Sequence, residues 1–213
     1  MNGRLAGWFV LVSVLIASNW AARLTSSRPE ANAAYDWNVA AGSTIEFLFV
    51  LGIILLIARS DLGLLALRRP VSWRRTLGLS LAILVLVDVL NALVDPLLHP
   101  GREQGLAPTR WEPSHAAAFA VFAFAVIVLA PLMEELLFRG LGFSLLRRYG
   151  LVPPIVGTAV LWGFAHGLVD ALPVLIPFGL GLAWMRSRVN STIPGILLHG
   201  TFNALALVLS LTA

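Results

Sequence analysis

Seven apolar stretches, joined by short polar connections, make up most of this chain. Most are long enough to cross a hydrocarbon core of about 30 Å as helices of roughly 20 residues. They are too continuous to alternate as the strands of a membrane barrel do. The stretches lie at about residues 7–22, 44–60, 76–98, 118–147, 152–171, 172–186 and 191–211. The pattern therefore predicts an all-α, polytopic transmembrane bundle of about seven spans, within a range of six to eight.

The first and sixth stretches are short, and each allows a second interpretation. Arg4 precedes the first stretch, and Ala21 and Ala22 follow it, which is also the pattern of a cleavable signal peptide. The sixth stretch contains Pro173 and Pro177, which lack the backbone N–H that a helix uses. A tilted, broken or partly re-entrant segment is therefore expected there.

The composition agrees with a membrane protein and excludes some kinds of chemistry. Hydrophobic residues make up 58% of the chain, charged residues make up 12%, and the mean hydropathy is +0.85. A soluble domain of this size needs a more charged surface. The chain has no cysteine, so disulfides, thiolate catalysis and cysteine-based zinc sites are excluded. Without a repeat or a long linker, residues 1–213 are predicted to form one integral membrane domain.

The net charge of +4 comes from arginines, since the chain contains no lysine. In a soluble protein this charge would favour nucleic acid as a partner, but here the arginines lie in the connections between apolar stretches. One side of the predicted bundle carries Arg4, Arg59, Arg68, Arg69, Arg74, Arg75, Arg147, Arg148, Arg186 and Arg188. The other side carries Arg23, Arg28, Arg102 and Arg110. The positive-inside rule places the N-terminus in the cytoplasm, with the lipid bilayer as a partner and no nucleic acid.

Three groups of polar residues interrupt the apolar stretches of the C-terminal half. Charged and polar side chains within membrane helices are costly and are functional by default. The groups are Glu134, Glu135 and Arg139 in the fourth stretch, His166 in the fifth, and His199 and Asn203 in the seventh. Together they supply two carboxylates, a guanidinium, two imidazoles and an amide, which favours an active site over simple packing.

The depth of these residues in the membrane can be counted from the arginine-rich ends of the helices. At 1.5 Å per residue, Glu134 and His166 both lie roughly 20 Å deep. His199 and Asn203 lie at roughly 13 and 20 Å. Three helices that run in both directions therefore bring polar residues to one level, and we expect the active site between them.

The spacing within each group predicts different roles for neighbouring residues. Glu135 and Arg139 are four residues apart and can form an ion pair along one helix face. Glu134 points about 100° away from Glu135, so it is expected to meet another helix. His199 and Asn203 are also four residues apart, and one face of the last helix therefore offers an imidazole and an amide together.

These motifs resemble those of the CPBP family of intramembrane proteases. The family contains the type II CAAX prenyl endopeptidases and the bacteriocin-processing or self-immunity proteins called Abi. Its pattern is EExxxR, then FxxxH, then HxxxN or HxxxD, each on its own helix, and the chain matches it over roughly residues 118–211. One position departs from the pattern, because Trp162 stands where Phe is commoner. We expect this aromatic exchange to affect only the fit of the substrate.

The resemblance implies an intramembrane endopeptidase that acts on a membrane-associated peptide or protein. Glu134 and His166 would activate a water, and His199 and Asn203 would hold the oxyanion. Glu135 and Arg139 would brace the first motif helix. No cofactor is implied, and 118–211 would be the catalytic core. The arginine-, alanine- and leucine-rich composition is typical of a bacterial plasma-membrane protein.

Three alternatives remain open at the level of the sequence. Glu134, His166 and His199 form a donor set that could hold zinc with one position left for water, although no HExxH motif is present. A non-proteolytic immunity protein or scaffold could keep the same fold. Asp88 and Asp95, with Asn91 between them, form a polar stripe on the third span that also fits a small transporter, although we expect the stripe to face the protein interior or its mouth.

Overall fold

The computed structural model describes residues 3–25, 32–98, 108 and 110–211. Within these residues every regular element is helical, and the predicted all-α bundle is confirmed. The long helices are α1 (Gly3–Thr25), α2 (Trp37–Ala58), α3 (Trp73–Leu98), α4 (Pro113–Tyr149), α5 (Pro153–Ala165), α6 (Leu172–Val189) and α7 (Ile193–Ser210). Five of them, α1 to α4 and α7, are long and apolar enough to cross a membrane. Helix α5 is too short to be counted among these candidate spans, and α6 is not apolar enough.

Two sequence expectations about the shorter helices need correction. The sixth stretch was expected to be tilted, broken or partly re-entrant, and of these alternatives the break is absent, because α6 is continuous with Pro177 inside it and Pro173 in its first turn. The fifth stretch was expected to reach residue 171, but α5 ends at Ala165. Gly167 has a φ of 65° and turns the chain away there, in the left-handed conformation that glycine adopts readily. His166 therefore caps the helix instead of lying within it.

The end of α5 is held by side chains of α1. Asn19 donates to the carbonyl of Ala165, and the indole of Trp20 donates to the carbonyl of Phe164 at 2.9 Å. Carbonyls at a helix C-terminus have no partner within the helix, so these bonds satisfy groups that would otherwise be left unpaired. The first span therefore fixes the position of His166, which directly follows Ala165.

The central helix α4 contains two π-helical segments, Ala125–Leu129 and Leu136–Gly142. Such segments hold one more residue per turn than an α-helix and often occur at functional sites. Between them lies a short α-helical segment that ends with Glu134 and Glu135. The second π segment is supported by α1, because the indole of Trp8 donates to the carbonyl of Leu137 at 2.9 Å.

The third helix is the least buried of the five candidate membrane spans. Asp88, Asn91 and Asp95 are all exposed on it, so this stripe does not face the protein interior. That it faces the mouth of the bundle stays a prediction. The side of the membrane on which the N-terminus lies stays a prediction. Two of the arginines counted for it, Arg28 and Arg102, are outside the described residues.

Candidate active site

Glu134 on α4 lies where the three motif-bearing helices meet. Its Oε2 accepts a hydrogen bond from the indole N–H of Trp162 on α5. The same oxygen lies 4.0 Å from Nε2 of His166 and 3.9 Å from Nε2 of His199. The convergence predicted from depth alone is therefore present. The side chain of Glu134 is 17% exposed, so it remains accessible.

The ring of His166 is oriented by the backbone of its own helix. Its Nδ1 lies 2.8 Å from the carbonyl of Trp162, which can only accept, so Nδ1 carries a proton and donates it. In the neutral imidazole, Nε2 is then the acceptor and faces Glu134. His166 is 19% exposed, which is similar to the exposure of Glu134.

The predicted ion pair between Glu135 and Arg139 is present and almost fully buried. Arg139 Nη1 lies 2.9 Å from Glu135 Oε1, and the two side chains are 1% and 0% exposed. The other terminal nitrogen of Arg139 donates to the carbonyl of Gly179 on α6 at 3.1 Å. The guanidinium also lies 4.8 Å from the centroid of the Trp162 ring, in a cation–π contact. The charge of Arg139 is thus matched on several sides.

Glycines on the neighbouring helices make room for this pair. A Cβ on Gly179 would lie 3.0 Å from the Trp162 ring and 3.1 Å from Arg139 Nη2. A Cβ on Gly195 would lie only 2.5 Å from Glu135 Oε2. Gly195 is in the first turn of α7, where the helix dipole favours a negative charge. A larger residue at either position would displace the ion pair.

His199 on α7 connects the ion pair to Glu134. Its Nδ1 lies 3.5 Å from Glu135 Oε1, while its Nε2 faces Glu134. The ring is 3% exposed and packs edge-on against Trp162 and Phe178. The two glutamates, for which different roles were predicted, face opposite nitrogens of this one imidazole. The spacing along the chain gave no signal of this contact.

Asn203 binds α4 at the first π segment. Its side-chain amide donates to the carbonyl of Val126 at 2.9 Å. In a π-helix, the carbonyl of Val126 would accept from the N–H five residues later, but that residue is Pro131, which has no N–H. Asn203 satisfies this acceptor instead. Gly200 permits the approach, because a Cβ there would lie 2.7 Å from the carbonyl of Ile127. One of the two amide protons of Asn203 is therefore used within the protein.

Trp162 has a larger part in the site than the sequence indicated. Its side chain is 1% exposed, its N–H bonds to Glu134, and its ring edges contact both histidines. The Trp-for-Phe exchange therefore adds a hydrogen bond to Glu134, and its effect on function stays a prediction. The signal was present in the sequence, since a phenylalanine has no N–H to offer a buried carboxylate and a tryptophan does.

Glu134, His166 and His199 are residue types that bind zinc, but the distances between their donor atoms are longer than a zinc site requires. Two ligands of one tetrahedral zinc, each bonded at about 2.0–2.2 Å, lie roughly 3.3–3.6 Å apart. The separations here are 3.9 and 4.0 Å. Among the described residues, no group of three or more histidine, cysteine, aspartate or glutamate side chains is arranged to hold a metal ion. A metal would require these side chains to move closer together.

Comparison with known protein families gave a match in the C-terminal half of the chain. Residues 116–205 match the family described as type II CAAX prenyl endopeptidase Rce1-like. The match contains all three motifs, covers α5, α6 and most of α4 and α7, and confirms the resemblance drawn from the motifs. Comparisons with curated proteins and with solved structures gave no match.

Proposed function

We propose that this chain, whose residues 116–205 match the family described as type II CAAX prenyl endopeptidase Rce1-like, is an intramembrane endopeptidase. Its substrate would be a membrane-associated peptide or protein, cleaved by water without a covalent intermediate. The observation that carries the proposal is the convergence of Glu134, His166 and His199 from three helices around one carboxylate oxygen.

The distances around Glu134 suit the activation of a water molecule. The 3.9 and 4.0 Å separations are too long for direct hydrogen bonds. They are of a length that one water can bridge, donating to the carboxylate and to Nε2 of His166. Glu134 would take a proton from this water as the oxygen attacks the peptide carbonyl, and the proton would then pass to the leaving amine.

His199 is the proposed donor to the oxyanion. Its Nε2 is directed into the site, 3.9 Å from Glu134 Oε2, and a proton on this nitrogen would be donated to the oxyanion. The remaining amide proton of Asn203 would be the second donor. Such donors typically contribute about 2.7–4 kcal/mol to the stabilisation of an acyl-transfer transition state.

The experiment that tests the proposal compares Glu134→Gln with the unchanged protein. Purified protein in lipid nanodiscs would be incubated with a library of membrane-inserting peptides, and new termini would be identified by mass spectrometry. The amide has the size of the carboxylate but cannot accept the proton, so we expect cleavage to fall by about 10²–10⁴-fold. The melting temperature should change little.

Glu46→Gln is the matched control, because Glu46 is an exposed glutamate on α2. It should cleave the library at the unchanged rate. If Glu134→Gln retained more than about a tenth of the rate, Glu134 would not be the base. If its products appeared at the same rate as in the unchanged protein, the proteolytic proposal would be refuted at this site.

A zinc-dependent reaction is the second candidate, and the orientation of the two histidines supports it. Each ring turns Nδ1 towards an oxygen acceptor and Nε2 towards Glu134, as metal-binding histidines do. Glu134, His166 and His199 would then be the ligands, and the metal would polarise the attacking water. Prolonged treatment with a strong chelator distinguishes the two. Activity that survives chelation supports glutamate chemistry, whereas loss of activity that added zinc restores supports the metal.

A further inference from the structure

The arginine-bearing end of the bundle contains a basic cleft that the proposed reaction does not use. It has a volume of about 530 Å³ and lies between the connection 61–68, the end of α4 and the end of α6. Its charged and polar lining includes Asp61, Arg68, Ser144, Arg147, Arg186 and Arg188. Four of these six side chains are guanidinium groups, so the cleft is strongly positive.

Arg186 is the buried member of this group, with 6% of its surface exposed. Its Nε donates to the carbonyl of Arg139 at 3.1 Å, and its Nη1 donates to Oδ1 of Asn190 at 3.1 Å. Its guanidinium also packs over the ring of Phe143. All of these partners are neutral. A buried cation without a counter-ion is unfavourable, so Arg186 is expected to face an anion when the protein is in its membrane.

The other cleft arginines also have no acidic partner among the described residues. Arg68, Arg147 and Arg188 are exposed, and none forms an ion pair there with a carboxylate. Asp61 is the one acidic residue of the cleft lining, and it lies 3.9 Å from Arg4. Like charges around one cleft repel each other, and an anion bound between them would relieve that repulsion.

The walls of the cleft are fixed by hydrogen bonds from the helices to the connection. Ser191 donates to the carbonyl of Arg68, and Ser144 donates to the carbonyl of Leu64 at 2.7 Å. The hydroxyl of Thr192 donates to the carbonyl of Leu65 at 2.8 Å. Because these bonds hold the backbone in place, little order has to be gained when a ligand binds.

An apolar cleft adjoins the basic one and indicates what kind of anion fits. It has a volume of about 450 Å³ and shares Gly63 and Arg68 with the basic cleft. The rest of its lining is aliphatic: Leu55, Leu62, Leu65, Ala66 and Leu67. A free phosphate would leave this surface uncovered, whereas a phospholipid has both a phosphate and acyl chains.

We propose that the two clefts together bind one anionic phospholipid of the surrounding leaflet. Arg68, Arg147, Arg186 and Arg188 hold the headgroup phosphate, since guanidinium groups bind phosphate with paired, charge-assisted hydrogen bonds. The leucine-lined cleft holds the first part of an acyl chain. Basic pockets between membrane helices are suited to such headgroups. This site is separate from Glu134, and its occupancy is measured without any assay of cleavage.

Native mass spectrometry of the full chain in detergent tests the proposal. The protein is titrated with phosphatidylglycerol, with phosphatidylcholine of the same chain length, and with inorganic phosphate. We expect phosphatidylglycerol to bind at least tenfold more tightly than either of the others. Equal affinity for the two lipids would overturn the assignment of an anionic headgroup. Equal affinity for inorganic phosphate would overturn the lipid and assign the cleft to a free anion.

Two triple variants locate the binding site. R68Q/R147Q/R188Q removes the exposed arginines of the cleft and leaves the buried Arg186 in place to protect folding. R69Q/R74Q/R148Q removes three exposed arginines from the same end that line neither cleft. At about fivefold per arginine, the cleft triple should weaken phosphatidylglycerol binding by roughly 100-fold. The control triple should change it less than threefold. Equal losses would mean general surface attraction and would overturn the site.

The position of the acyl chain is tested by two neighbouring leucines. Leu55 lines the apolar cleft and Leu56 does not, and both are exposed on α2. L55A should weaken binding of long-chain phosphatidylglycerol about threefold, with L56A unchanged. Equal effects of L55A and L56A would show that the chain does not occupy this cleft.

Discussion

Glu134 and Glu135 are neighbours in the sequence, but they lie in two different regions of the site. Glu135 belongs to a sealed region, in which its carboxylate is fully buried and bonded to Arg139 at 2.9 Å. Glu134 belongs to an accessible region, in which two histidines lie near its carboxylate without bonding to it directly. The sealed carboxylate has a fixed opposite charge, whereas the accessible one has partners that leave space for a reactant.

The difference shows how one helix can carry both a structural charge and a reactive one within the membrane. Burial requires that a charge be matched, and a matched carboxylate is a poor base. Reactivity requires partners that orient the group without neutralising it. His199 is the contact between the regions, since it faces both glutamates.

Breaking the sealed region should have the largest effect on stability. Glu135→Ala or Arg139→Ala would each leave a buried charge without its partner, a change that typically costs about 3–5 kcal/mol. The double variant should recover part of this loss. The measurement is thermal unfolding of the four proteins in detergent, analysed as a double-mutant cycle. Strictly additive losses would show that the pair contributes no coupling.

Arg148→Ala is the control for this cycle. Arg148 also lies on α4, but it is exposed and its guanidinium bonds to the hydroxyl of Tyr149. Surface substitutions of this kind usually change stability by no more than about 0.5 kcal/mol. A comparable loss in Arg148→Ala would mean that burial of the pair is not the cause.

Asn203→Ala should reduce the rate by about 10²–10³-fold with little change in KM, if Asn203 is an oxyanion donor. Because the amide also bonds to Val126, a stability loss of about 1 kcal/mol is expected as well. Thr201→Ala is the control, since Thr201 is exposed on the same helix and bonds only to its own backbone turn. If the rate fell only in proportion to the loss of folded protein, Asn203 would have a role in the packing of α7 against α4 and none in the reaction.

Trp162→Phe tests the hydrogen bond that orients Glu134 within the accessible region. The substitution removes the N–H that bonds to Glu134 and keeps an aromatic ring beside Arg139. A hydrogen bond to a charged group is worth about 1.5–3 kcal/mol, so we expect kcat to fall about 10–100-fold with little change in KM. Trp184→Phe, at an exposed tryptophan of α6, should leave the kinetics unchanged. Unaltered kinetics in Trp162→Phe would remove this hydrogen bond from the mechanism.

The sequence predicted those parts of the site that depend on distance along a helix. The Glu135–Arg139 pair follows from a spacing of four residues, and the meeting of Glu134 with His166 follows from matched depth. The contacts that depend on helix packing were not predictable in this way. The spacing gave no indication that Gly195 lies against Glu135.

The first span shows the same limit more clearly. Its apolar pattern predicted a helix, and α1 is one. Nothing in that pattern indicated that Asn19 and Trp20 would hold the end of α5, or that Trp8 would bond to α4. Such bonds form because neighbouring helices expose unpaired carbonyls, and these appear only once the helix ends and π segments are known.

The π segments of α4 make the geometry of the site depend on the number of residues in the helix. Each π turn contains one residue more than an α turn, and each residue of an α-helix advances the chain by about 100°. Deleting one residue from Ala125–Leu129 would give up the extra residue of the π turn and leave the direction of Glu134 nearly unchanged. Deleting one residue from the regular segment Ala116–Phe124, with the π segment kept, would instead rotate Glu134 by about 100° relative to the start of α4. The direction of the Glu134 carboxylate therefore depends on the number of residues that precede it in α4. A deletion far from any polar side chain could misdirect it as completely as a substitution at Glu134 itself.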